Sequence, residues 1–429
     1  MSHMQSHDEF APTPMFRRGD PCDRPRQNIK WAVNKSNLEI GHVTDASSRF
    51  TRVILSFMAA RRKSTSITLE DLRAFSVQRS LWQVPTLARG LNRFGFVQAD
   101  PIRAPARAQD LILWQRVKNY RAGDLEKKYQ KLEIEEDFFV NYGFLTRELQ
   151  AFMHPREFGP LKIENAAPGL TDRVLEFVKN NGATHPKMLE AHFGRLSVAN
   201  NWGGTSQSTT RALDALHYRG LVRVARRDNG IKVYEAAAHL EPMFSQPLEP
   251  EAQARGLLDL ILSIYAPLPV QSLNQLVSLS GYGGPHLTPQ VRAALNDVNH
   301  ELETVTLDGL KYVWPAHEKI EASLETRVED RVRFLAPFDP VVWDRRRFEH
   351  LHGWVYRFEA YTPPAKRKMG YYALPLLWRD QIIGWANAKV MNGELELELG
   401  FVNARPKSKD FSRALEAETS SLKTFLGLA

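Results

Sequence analysis

Gln98 and Asp100 stand two residues apart behind the apolar stretch Phe96-Val97, and Pro101 follows at once. On a strand, an amide and a carboxylate at that spacing point to one face while Ala99 points away. Pro101 withdraws a backbone donor, which suits the end of a strand and the start of a loop. The spacing therefore predicts a carboxylate and an amide converging where a strand exits, flanked by Arg103 and Arg107. Such a group can hold a water, or face a developing positive charge, beside a phosphate backbone. The triplet alone is weak: about one Gln-x-Asp is expected by chance in a chain of this length.

These residues need elements to position them. Thr68 can cap a helix with Leu69, Leu72 and Phe75 on one face, and a second helix carries Val84, Leu87, Ala88, Leu91 and Phe94 before Gly95 ends it. The strand of Gln98 follows, then a further helix at about 107–118. A clearer unit lies downstream. Val174, Leu175, Phe177 and Val178 mark one helix, Pro186 to Phe193 a second, and Ser208 to Arg219 a third ending at Gly220. Alternating strands joined by Asp228-Asn229-Gly230 come next, which is a winged-helix signature. There the third helix offers Arg211, and the hairpin offers Arg226, Arg227 and Lys232, to phosphates. The pattern recurs around Leu257–Ile264, Val270–Val277 and Thr288–Leu295, with a nearly neutral hairpin about Asp308-Gly309 suited to packing between modules. After residue 331 the chain turns aromatic-rich and alternating, at 332–336, 354–361, 370–378, 382–390 and 394–401.

The expected fold is α+β: tandem winged-helix modules followed by a small antiparallel β-barrel or sheet domain. Residues 1–48 are expected to be a disordered tail, 67–160 a first winged-helix-like module, 168–240 a second, 249–318 a third, 331–405 the barrel-like domain and 406–429 a C-terminal helix.

The composition, 43% hydrophobic and 25% charged over 429 residues, fits a soluble globular protein. A formal net charge of +8 favours a polyanionic partner. Cys22 is the one cysteine, which excludes an internal disulfide and a Cys-based zinc site. No apolar stretch has the length of a membrane span, and the first residues lack the order of a secretory signal. A cytoplasmic, nucleoid-associated monomer is expected. Arg345, Arg346 and Arg347, with Lys366, Arg367 and Lys368, form two basic clusters that could line a DNA-facing groove. The acidic run Glu133, Glu135, Glu136 and Asp137 reads as a solvated face, and His350 and His352 as neighbours on one strand face without companions at zinc spacing. No metal and no cofactor are expected.

The run from Phe96 to Arg116, with Leu113-Trp114-Gln115-Arg116 at its end, resembles the AlkZ/YcaQ-type winged-helix DNA glycosylases, in which Gln-x-Gln or Gln-x-Asp is catalytic. A second stretch, Leu335-Ala336-Pro337-Phe338-Asp339-Pro340 through Trp343 and Arg345, is similar to that family's Ser-Pro-Phe-Asp-Pro-x-x-Trp-x-Arg run. Tyr356 to Pro363, Lys366-Arg367 and Gly370 to Pro375 continue the resemblance, which spans about 68–402. It implies a monofunctional glycosylase acting on double-stranded DNA with damaged bases. The bond hydrolysed would be the N-glycosidic bond of cationic N7-alkyl purines, interstrand crosslinks included, with Asp100 and Gln98 catalytic. Members carry a Trp-Ala-His-Glu-Ala run after the first module, whereas Phe139 to Phe144 stands there with no His or Glu. Two other readings compete. A winged-helix regulator needs no acid at Asp100, and a metal-dependent nuclease needs a ligand set the sequence does not offer.

Overall fold

Thr68 starts the first described helix by chemistry visible in its sequence. Its hydroxyl accepts from the Asp71 N–H at 3.2 Å while the Asp71 carboxylate accepts from the Thr68 N–H at 2.9 Å, a reciprocal cap that starts α1 (Leu69–Ser80). The structure is a computed structural model, and it describes residues 67–157, 162–199, 204–321 and 329–428. The expected tail at 1–48 lies outside the described residues.

α2 (Leu87–Phe94) is capped by Thr86 and stops at Gly95, whose φ of +72° is left-handed. A Cβ there would also stand 2.7 Å from Leu260 and 2.8 Å from Leu149. The chain then enters β1 (Phe96–Gln98), passes through α3 (Ala108–Trp114) and returns in β2 (Ile134–Phe138) and β3 (Tyr142–Thr146). These strands form an antiparallel sheet in the order β1-β3-β2, with Gln98 opposite Gly143. Val84, expected in α2, instead pairs with Val117 in an isolated bridge.

The second unit holds α4 (Leu170–Asn181), α5 (Pro186–Phe193), the short strands β4 (Ser197–Ala199) and β5 (Thr205–Gln207), α6 (Ser208–Tyr218), and a hairpin of β6 (Val222–Asp228) and β7 (Ile231–Ala236). Asn229 and Gly230 at its turn both have positive φ, as a two-residue hairpin loop requires. Val174, Val178, Leu189, Leu213, Leu216 and Val224 give the unit its own core. The third has α7 (Pro250–Tyr265), β8 (Leu268–Pro269), α8 (Val270–Leu279), α9 (Thr288–Asp297), and the hairpin β9 (Leu302–Leu307) and β10 (Leu310–Pro315). Its core is continuous with that of the first, with Leu257, Leu258 and Ile261 in one cluster with Phe94, Phe96 and Leu145.

Of the antiparallel barrel or sheet expected for the last region, the structure has the sheet. Four antiparallel strands, β11 (Val332–Phe334), β12 (Leu374–Trp378), β13 (Gln381–Met391) and β14 (Glu394–Phe401), form an open meander in that order, not a closed barrel. No strand forms over 354–361, and the chain before it is helical: a turn at Pro340–Trp343 and then α10 (Arg345–His352), whose first N–H groups are met by Asp344. Capping by Asp344 and a left-handed Gly353 after the last residue outweigh the aromatic alternation that suggested a sheet. α11 (Lys409–Leu426) closes the chain.

The expected module boundaries are crossed by packing. Val77 and Leu81, at the end of α1, lie in a cluster with Leu335, Val341, Val342 and Phe348 of the C-terminal region. Trp114 of α3 stacks on Phe425 of α11 with ring centroids 5.0 Å apart. Between them Arg116 meets Asp339 in a bidentate pair at 2.7 and 2.9 Å, with both side chains fully buried. Asp339→Asn leaves the Arg116 charge buried without a counter-ion and is expected to cost about 3–5 kcal/mol. Urea unfolding at neutral pH measures this; a midpoint equal to that of the unaltered protein would show that the pair does not hold these regions together.

Candidate active site

Gln98 closes β1, and the ladder continues one residue further, where the Ala99 N–H donates to the Tyr142 carbonyl at 3.0 Å. Asp100 then lies just beyond the strand. Its own N–H donates to Gln109 Oε1 of α3 at 3.2 Å, and its carboxylate accepts from the Ile102 N–H at 2.8 Å. The second contact is a short turn in which an aspartate side chain satisfies the backbone two residues on. Gly143 permits the strand pairing, because a Cβ there would lie 2.4 Å from the Val97 carbonyl oxygen.

Burial raises several carboxyls of this chain, Asp110, Glu135, Asp214 and Glu418 among them, and Asp100 is one. Burial pushes its carboxyl from the ordinary 3.8 up to about 6, and the Ile102 N–H offsets only part of that. Gln98 is buried, and its Oε1 has no hydrogen-bond partner among the described residues. A buried acceptor left open is unusual enough to need a reason, and a bound polar ligand supplies one.

Of the expected phosphate contacts, Arg103 is exposed beside Asp100, and Lys366 and Lys368 are exposed in the C-terminal region. Arg346 is half-buried at the start of α10. Others already meet groups of the protein. Arg107 pairs with Glu126 at 3.0 Å and borders a small, partly open cavity of about 20 Å³, room for a single water, with Gln109, Asp110 and Arg227. Arg211 lies 3.7 Å from Asp214, and Arg226 pairs with Asp228, two residues along the same strand, at 2.9 Å. Arg227 donates to Glu136 at 2.7 Å, and the Lys232 ammonium sits 4.3 Å over the Tyr142 ring. Arg345 stacks on Tyr356 and donates to the Pro337 carbonyl at 3.1 Å. Arg347 is a correction: it is 2% exposed, bound to the carbonyls of Tyr265, Pro267 and Pro340, and cannot face a groove.

Two further expectations are overturned. Glu135, Glu136 and Asp137 are at most 2% exposed, so the acidic run is no solvated face. Each meets a cation: Arg147 and Arg223 at Glu135, Arg227 at Glu136, Arg156 at Asp137. His350 and His352 lie on a helix. The first contacts the Tyr312 hydroxyl at 2.8 Å, and the second accepts from the Ile382 N–H at 3.2 Å. No group of three or more His, Cys, Asp or Glu suited to a metal ion occurs among the described residues.

The sequence reading passed over three tyrosines. Asp100 is close enough to raise the phenol pKa of Tyr361 and Tyr372, in both cases after the larger effect of burial. Tyr361 and Tyr371 are 53% and 45% exposed, whereas the Tyr372 hydroxyl is buried without a partner among the described residues. Tyr371-Tyr372 directly follows the Lys366-Arg367-Lys368 cluster, and aromatics interleaved with cations could have marked the site.

A family model described as DNA glycosylase AlkZ-like matches residues 91–425. The fold is similar to that of the Streptomyces sahachiroi DNA glycosylase AlkZ, with a TM-score of 0.56 at 15% identity over 85% of this chain and 98% of that one.

The raised Asp100 pKa has a consequence for stability. Folding takes up a proton on Asp100 between 3.8 and about 6, so its favourable contribution is complete below 3.8 and lost as the pH rises through about 6. Asp100→Asn removes the buried charge. It is expected to stabilise the protein by about 1–2 kcal/mol at pH 7.5, after discounting for partial exposure, and by much less at pH 4. Denaturant titrations of both proteins at the two pH values test this, and a variant less stable at pH 7.5 would refute the strained carboxylate.

Proposed function

The chain belongs to the AlkZ-like DNA glycosylase family, and on that premise we propose that it hydrolyses the N-glycosidic bond of N7-alkylated purines in double-stranded DNA, with Asp100 and Gln98 at the reacting centre. The observation that carries this reading is Asp100 itself, a half-buried carboxylate at a strand exit that pairs with no guanidinium or ammonium among the described residues.

A purine alkylated at N7 is cationic and leaves without prior protonation. As the bond from C1′ to N9 lengthens, its electron pair moves to the base, and positive charge gathers on the sugar. Asp100, mostly ionised at pH 7 with a pKa of about 6, stabilises that charge. A carboxylate of this basicity is also a better proton acceptor than an ordinary aspartate. A water donating one hydrogen to Asp100 and the other to Gln98 Oε1 keeps a lone pair for C1′. On attack, the C1′–O bond forms and the water's proton passes to Asp100. No amine takes part, so the enzyme is monofunctional.

The helical units at 168–240 and 249–318, each three helices followed by a hairpin, are read as winged helices. Arg103, Lys366 and Lys368, with Arg346 and Arg367, would hold phosphates. The proposal is confined to single-base lesions. Where the resemblance expects a Trp-Ala-His-Glu-Ala run, Phe139 to Phe144 holds neither His nor Glu and offers no second acid or base of that kind.

Single-turnover assays at saturating enzyme, on one duplex carrying N7-methylguanine, uracil or 8-oxoguanine, test the reading. Release of N7-methylguanine should exceed that of the neutral bases, survive a strong chelator, and fall on the order of 100-fold or more in Asp100→Asn with DNA binding retained. The wild-type rate should rise through about pH 6 and level off above it, following Asp100 deprotonation. Undiminished turnover by Asp100→Asn would remove Asp100 from the mechanism. Sequence-selective binding without release of any base would make the protein a regulator.

A further inference from the structure

The loop that carries Tyr361 and Tyr371 is built with more care than a surface loop needs. Glu359 is 5% exposed, and its carboxylate oxygen Oε2 accepts from the backbone N–H groups of Lys368, Met369 and Gly370 at 2.8, 2.8 and 3.3 Å. One buried charge thus ties the segment leading to Tyr361 to the segment leading to Tyr371. The Asn387 amide donates to the Met369 carbonyl at 2.7 Å. Gly370, at φ +117°, has no room for a side chain, since a Cβ would stand 2.3 Å from Asn387 Oδ1. Arg367 makes a second tie: its Nε donates to the Thr362 carbonyl at 2.8 Å while its guanidinium lies 5.0 Å over the Tyr371 ring.

The anchored loop nevertheless leaves two large rings in solvent. Tyr361 is 53% exposed and rests edge-on against Phe358, with centroids 6.1 Å apart. Phe358 packs in turn on Tyr372 at 5.4 Å. Fixed, exposed aromatics beside a half-buried carboxylate suit a flat ligand that carries positive charge. We infer that Tyr361 and Tyr371 form a nucleobase subsite, in which Tyr361 stacks the cationic purine beside Asp100 and Tyr371, under Arg367, receives the adjoining nucleotide.

The chemistry follows from the rings. A phenol face is electron-rich and attracts a cation lying over it, whereas a neutral base gains only stacking. No cation of the described residues lies over Tyr361, which leaves that face for the ligand. Arg367 already covers Tyr371, which fits that ring to a neutral base whose phosphate the guanidinium can meet. Extruding a base from the duplex costs a few kcal/mol, least where the base is damaged, and a rigid stacking wall offsets part of this without ordering a flexible loop.

This subsite rests on the proposed glycosylase reading, and binding separates the two. The probe is a duplex carrying 2′-fluoro-N7-methyldeoxyguanosine, whose fluorine destabilises the sugar cation and so preserves the lesion while affinity is measured. The unaltered protein should prefer it to the undamaged duplex by about 10-fold or more. Tyr361→Leu should reduce that preference to about threefold or less, and Tyr361→Phe should keep it, since the ring face and not the hydroxyl is at work. Matching thermal midpoints, expected for a residue this exposed, exclude unfolding. An unchanged preference in Tyr361→Leu, with N7-methylguanine still released from the unfluorinated duplex, overturns the subsite and leaves the activity standing. No release by the unaltered protein overturns the activity, and with it this inference.

Discussion

A guanidinium and a carboxylate sealed from water, Arg116 and Asp339, hold together regions more than two hundred residues apart in sequence. Removing two ions from water is costly, and the attraction between them repays it only where every remaining donor and acceptor is met. Here all five guanidinium N–H groups are used: two on Asp339, and the others on the Ser80 carbonyl, the Ser80 hydroxyl and the Ile112 carbonyl. Asp339 also accepts from the Val341 N–H at 3.0 Å, and the guanidinium lies 4.9 Å over the Phe94 ring. One side chain therefore fixes the ends of α1 and α2, the helix that follows Asp100, and the turn that opens the C-terminal region. The charge of Asp100 is felt at Tyr361 and Tyr372 because this clasp sets where that region lies.

A second electrostatic layer docks the hairpin at 222–236. Neighbouring residues on a strand point to opposite faces, so burial of Glu135, Glu136 and Asp137 together means that β2 is covered on both sides. Burial pushes Glu136 upward, but hydrogen bonds and charge from Arg227, with Lys232, bring it down to about 2. Arg223 grips Glu135 in the same manner at 2.8 Å. Cations on an exposed hairpin would serve DNA; on this hairpin, two of them hold the protein's own carboxylates. A cationic hairpin in a sequence thus does not establish a DNA contact.

What was legible in the sequence follows local rules. The Thr68 cap, the stop at Gly95, the strand before Asp100 and the Asn229-Gly230 turn are each decided by a few adjacent residues, and the structure has them. What was not legible depends on partners far along the chain. Glu135 to Asp137 read as a solvated face because Arg223, Arg227 and Arg156 are distant in sequence. Arg347 read as a surface cation because the carbonyls that enclose it, Tyr265 and Pro267, lie some eighty residues upstream. Alternation at 354–361 suggested a strand, but its aromatics pack on α10 and on one another, as Phe348 does on Trp354 and Tyr356. For the candidate site, Gln98 and Asp100 could be chosen from the sequence, whereas their tyrosine neighbours needed the fold.

Burial alone does not set where the carboxyls of this chain stand, nor does pairing alone: Glu135 stays raised with Arg147 and Arg223 against it. Asp137 and Glu136 are more deeply enclosed than Asp100, yet both are held below the ordinary range because arginines stand against them. Asp100 is less enclosed and is nonetheless raised, because a single backbone N–H is all that opposes desolvation. An arginine set against Asp100 would have opposed that rise, as Arg227 does at Glu136. It would also have cancelled the charge. In the proposed mechanism the positive partner of Asp100 arrives with the substrate, first as the alkylated purine and then as the sugar cation. That partner is bound most strongly as the bond breaks, which is the condition under which binding accelerates a reaction.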